Sequence, residues 1–128
     1  MIKLENPPNI EAIKKVLPLH KGIIFTYGKD VYNPDGAEIN SHVLYHEGIH
    51  SKQQGDNPKE WWKNYLPNDK FRAIQELEAY QMQYEYICKQ VKDREARNHV
   101  ARQLAKSLSG EMYGKVMGFD EAVQAIKA

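Results

Sequence analysis

The chain has 128 residues, a net charge of +1 and a charged fraction of 27%. That length is one ordinary domain, able to bury a core without disulfides, so a single domain over residues 1–128 is expected. The near-neutral balance points to neither nucleic acid nor a membrane, no apolar run reaches the ~20 residues that span a bilayer, and the lone Cys88 excludes both an intrachain disulfide and a zinc site built on two thiolates.

Residues 1–8 lack the apolar core and small-residue cleavage site of a signal peptide, so a cytoplasmic protein is expected. Pro7-Pro8 opens a short helical pattern with Ile10, Ile13, Val16 and Leu17, which Pro18 closes. Residues 22–28 form a β-rich run bounded by glycines, and Asp30-Val31-Tyr32-Asn33 reads as a second strand. With Gly28-Lys29 between them, the two predict a hairpin. Pro34-Asp35-Gly36 is turn chemistry.

The next helix is expected to begin near Asp35, where Asp35 and Glu38 have the spacing of a capping box. It carries Ile39, Val43, Leu44, His46, Ile49 and His50, and Gly55 is its stop. A short aromatic helix over residues 60–66 follows, with Trp61, Trp62 and Tyr65, and ends at Pro67. Asn68 or Asp69 caps the next helix, which runs to about Asp93 with Ala73, Leu77, Tyr80, Tyr84, Ile87, Cys88 and Val91 on one stripe. Helix resumes over residues 94–107. Gly110, Gly114 and Gly118 break up the tail, and residues 119–126 form a last helix. The sum is an α+β fold, mostly helical, with a small N-terminal sheet or hairpin.

The chemistry concentrates at His46-Glu47-Gly48-Ile49-His50. Residues four apart on a helix lie one above the other, so His46 and His50 can aim their imidazoles at one metal ion. Glu47, one position after His46, leans beside that ion and suits a base acting on water that zinc activates. Chance alone yields the pentad in roughly 2% of chains of this composition. His42 extends the histidine series, but two helical turns separate it from His50 by about 12 Å, too far for one ion. It reads as a cleft residue or a plain polar position. Gly48 costs about 1 kcal/mol in a helix interior relative to alanine, and a closely packed neighbouring backbone would account for it.

A catalytic zinc takes three protein ligands and an open position. Asp56 lies six residues beyond His50, where some HExxH families place a third ligand, but those families need glycine at the position of Gln53. Glu76 and Glu78, on the long helix, are about 200° apart, so only one can face a metal. On a wheel, Glu76 falls about 70° and Glu78 about 130° from the centre of the apolar stripe. Glu76 therefore sits at the buried edge and is the favoured ligand. Cys88 lies deep in the stripe and reads as a small core residue.

These residues resemble the gluzincin branch of the zincin metallopeptidases, in which one helix carries HExxH and a later helix a glutamate ligand. Glu76-Leu77-Glu78-Ala79 is similar to the E-x-x-A segment of minimal gluzincins, whose first Glu binds zinc. His50-Ser51-Lys52-Gln53-Gln54 is similar to short zincin-like domains of bacteria and phages. Where many relatives place Asp or Asn to steady a histidine ligand, this chain has Tyr80. The resemblance covers roughly residues 22–86. It implies a zincin-like fold whose edge strand, from residues 22–28 or Asp30–Asn33, lies over the cleft and pairs with an extended polypeptide substrate. It also implies a donor for the oxyanion, for which Tyr65, His99 and Tyr113 are candidates. Peptide deformylases share HExxH but need an upstream cysteine, which this chain lacks.

The leading expectation is a zinc metalloendopeptidase with His46, His50 and Glu76 as Zn2+ ligands and Glu47 as general base. The alternative is a zincin-shaped zinc-binding module that interacts without chemistry. Lys89, Lys92, Arg94, Arg97, Arg102 and Lys106, set against Asp93 and Glu95, give a local excess of four positive charges, 6 − 2, which reads as a solvated helix face rather than a nucleic-acid site. Trp61 and Trp62 are adjacent and point to different sides, so at least one is expected to be exposed.

Overall fold

The computed structural model describes all 128 residues. It is α+β and mostly helical, with six α-helices and one three-stranded sheet. The chain divides into two compact units, residues 1–68 and 69–128. No helix is long and apolar enough to cross a membrane.

The first unit holds strands β1 (Ile2–Lys3), β2 (Phe25–Tyr27) and β3 (Asp30–Tyr32) and helices α1 (Ile10–Lys14), α2 (Ser41–Gln54) and α3 (Pro58–Tyr65). The expected hairpin is present: β2 and β3 pair antiparallel, Thr26 opposite Val31. Gly28 takes the positive φ (66°) that a two-residue turn asks of its first central position. β1 carries no pattern long enough to read from the sequence, yet it adds in parallel to β3, with the Val31 N–H donating to Met1 O at 2.9 Å and the Asn33 N–H to Lys3 O at 2.7 Å. The strand order is therefore β1-β3-β2. β3 is the middle strand, so Asp30–Asn33 offers no free edge for a substrate, contrary to expectation.

α2 starts at Ser41 rather than near Asp35, because the turn residues are engaged elsewhere. Asp35 Oδ2 accepts the Gly22 N–H at 2.7 Å, and the Asn33 side chain clasps Ala37 through both its amide atoms. With Asp35 committed to Gly22, the helix begins after Asn40. It stops where expected, at Gly55, whose φ of 56° favours glycine. α3 begins with Pro58 in its first turn, and the Asn57 side chain accepts the Glu60 N–H. Pro7, Ile13, Leu17, Phe25, Tyr32, Ile49, Trp61, Trp62, Tyr65 and Leu66 are buried apolar side chains of this unit.

The second unit holds α4 (Asp69–Gln90), α5 (Arg94–Leu108), a 3-10 turn (Glu111–Tyr113) and α6 (Phe119–Lys127). Its core gathers Ala105, Leu108, Tyr113, Ala122 and Ile126, and Leu77, Tyr80 and Tyr84 of α4 pack against it. Burying a side chain such as Leu108 or Ile126 contributes about 1.5–3 kcal/mol. The bend between α4 and α5 has a definite cause. The Arg97 guanidinium donates to the carbonyls of Cys88 and Val91 at the end of α4, while the Asp93 carboxylate accepts the Ala96 N–H at 2.9 Å and caps α5. One arginine of the basic stretch is thus a helix cap. Another, Arg102, lies 4.9 Å from the Phe119 ring centre.

Candidate metal centre

α2 turns three donors toward one point. His46, Glu47 and His50 are 7%, 8% and 5% exposed, and they offer ligand atoms all within 4.8 Å of one another. These three could hold a metal ion. The two imidazoles meet edge to face, ring centres 4.8 Å apart, with Nε2 of His46 3.2 Å from Nε2 of His50. A tetrahedral zinc with Zn–N bonds of about 2.0–2.1 Å holds two nitrogens about 3.3 Å apart. The pair is therefore spaced as two ligands of one ion.

Two of the donors, His50 and Glu47, are braced from behind. His50 Nδ1 lies 2.8 Å from Gln53 Oε1, and the His50 ring packs on the Trp61 indole with centres 5.5 Å apart. Glu47 Oε1 accepts the Thr26 hydroxyl at 2.8 Å, while its Oε2 lies 3.9 Å from His46 Nε2. Thr26 is 3% exposed and comes from the middle of β2. One carboxylate oxygen is thus anchored to the sheet and the other faces the histidines.

The outer rim of β2 is fastened to the helices. The Val31 N–H points to β1, so its partner Thr26 turns its own backbone groups outward. There the Thr26 carbonyl accepts from Gln54 Nε2 at 2.8 Å and from Trp62 Nε1 at 3.0 Å. The Gly28 N–H donates to Gln54 Oε1 at 2.6 Å, and Ser51 Oγ donates to the Gly28 carbonyl at 2.7 Å. The expectation that residues 22–28 present an edge ready for an extended substrate fails at Thr26 and Gly28, because side chains of α2 and α3 already occupy it.

The other residues singled out in the sequence fall on several elements. Glu76 is on α4, in the second unit, and is 4% exposed, whereas Glu78 on the same helix is exposed. Asp56 is exposed just beyond the end of α2. Cys88 is half-buried with a free thiol. Tyr65 is buried and stacks on Trp61 at 4.5 Å, His99 is exposed on α5, and Tyr113 is buried in the core of the second unit. Both tryptophans are buried, at 7% and 6%. Their rings meet at 87° and both pack on Tyr65, which overturns the expectation that one is exposed. No neighbouring backbone crowds Gly48: a methyl group there would meet open space.

Three residues of the site were not foreseen. Thr26 is the polar residue in an otherwise apolar strand run, Gln53 stands one helical turn from His50, and Gln54 follows it. A polar residue flanked by Phe25 and Tyr27 was the available signal for Thr26.

No protein-family model, curated protein or solved structure matches the chain.

Proposed function

We propose that the chain is a zinc-dependent peptidase, with His46 and His50 as metal ligands and Glu47 as general base. The observation that carries this reading is the pair of Nε2 atoms 3.2 Å apart beside a buried carboxylate. Imidazole nitrogens suit zinc, whereas magnesium and calcium take oxygens. Bound there, zinc supplies Lewis acidity, which acidifies water and polarises a carbonyl oxygen. The remaining work belongs to side chains. Thr26 holds Glu47 Oε1, and Oε2, on the His46 side, takes a proton from water and passes it to the departing amine nitrogen. A polypeptide is the substrate class.

The third protein ligand expected from the sequence is Glu76. Burial favours it over Glu78: Glu76 is 4% exposed at the edge of the apolar stripe, whereas Glu78 is exposed. Zinc retention by Glu76→Gln and Glu78→Gln decides between them: only the former is expected to lose metal.

The rival, a zinc-binding module without chemistry, gives no role to the anchoring of Glu47 by Thr26. Metal content and cleavage of a peptide library by wild type and Glu47→Gln separate the two. Both proteins are expected to bind zinc and only wild type to cleave. Zinc binding by both with cleavage by neither ends the peptidase reading, and absence of zinc from both ends the metal reading as well.

A further inference from the structure

The Gln53 side chain stands one helical turn beyond His50, and its Oε1 lies 2.8 Å from His50 Nδ1. An amide oxygen only accepts, so at that contact Nδ1 is the protonated nitrogen. A neutral imidazole with its proton on Nδ1 keeps its lone pair on Nε2, and Nε2 is the atom that faces His46. The ring itself is seated by Trp61, which restricts its rotation. We infer that Gln53 is a positioning residue that fixes the His50 tautomer, so that Nε2 is the atom offered to the metal before any metal arrives. This inference rests on the metal reading above. It goes beyond that reading in assigning the steadying role to the ligand helix itself.

The test has two arms. In the metal-free protein, nitrogen NMR of the imidazole rings is expected to show His50 chiefly as the Nδ1–H tautomer in wild type and in Gln53→Glu, which keeps an acceptor. Gln53→Leu, which removes the acceptor at similar volume, is expected to lose that preference while its circular dichroism stays that of wild type. Titration with Zn2+ against a chromophoric chelator is expected to show binding about 10- to 100-fold weaker for Gln53→Leu, the usual loss when an outer partner of a ligand is removed, with Gln53→Glu close to wild type. A wild-type His50 that is mainly the Nε2–H tautomer overturns the inference. So does a Gln53→Leu protein that keeps both the tautomer and the zinc affinity. If wild type binds no zinc, the metal reading falls, and the NMR arm still decides the tautomer.

Discussion

The Thr26 hydroxyl donates to Glu47 Oε1 at 2.8 Å, tying the carboxylate of α2 to the middle residue of β2. Both partners are at least nine-tenths buried, and a hydrogen bond to a charged group is worth about 1.5–3 kcal/mol. Thr26→Val, nearly the same shape, is expected to lower unfolding free energy by that amount in urea titration, to keep zinc binding, and to lose most peptidase activity. Thr26→Ser restores the donor and should recover both. A Val variant as stable and active as wild type would remove Thr26 from the site.

Zinc binding should show itself as stability. A ligand that binds only the folded chain adds about 2.7 kcal/mol at a concentration 100 times its Kd. Wild type is therefore expected to melt several degrees higher with excess Zn2+ and to return to its starting point with a chelator. His46→Ala and His50→Ala should show no such shift in differential scanning calorimetry, because each removes one of the two opposed nitrogens.

Gly48 lies within α2 with open space where a methyl group would go. Nothing in its surroundings requires glycine, and glycine in a helix interior costs about 0.5–1 kcal/mol relative to alanine. Gly48→Ala is expected to raise unfolding free energy by about that much and to leave zinc affinity unchanged. A loss of stability would mean that the position is constrained by something other than helix propensity.

Gln54 is 4% exposed and spans two backbone groups of the hairpin. In Gln54→Leu the Thr26 carbonyl keeps Trp62 Nε1, but the Gly28 N–H loses the acceptor described here. Leaving one such group unsatisfied costs about 1–3 kcal/mol. Denaturation should show that loss, and amide exchange at Gly28 should quicken.

The helices were legible where local chemistry decides them. Gly55, Pro67 and Gly118 punctuate the chain, and the C-terminal ends of α2 and α3 and the start of α6 fall within a residue or two of where those signals put them. The start of α2 was not legible, because Asp35 serves Gly22, thirteen residues back, rather than its own helix. β1 was invisible because two residues carry no period; only pairing with β3 defines it. Within the site, the spacing of His46 and His50 is a property of one helix and could be read directly. Thr26 and the burial of both tryptophans depend on β2 and α3 meeting α2, contacts that no local pattern encodes.

The hydrogen bonds between β2 and the helices also determine which changes the hairpin can absorb. Apart from the Thr26 hydroxyl, Ser51, Gln54 and Trp62 grip only main-chain atoms, at positions 26 and 28. They measure distance along the chain and take no notice of what Tyr27 or Lys29 carries. Substitution at the exposed Lys29 should pass almost unnoticed. A single inserted residue between 26 and 28 would turn the strand over, because the side-chain period is two, and would carry the Thr26 hydroxyl away from Glu47. Outside Gly28, whose positive φ favours glycine, the turn is permissive toward residue type and strict about length.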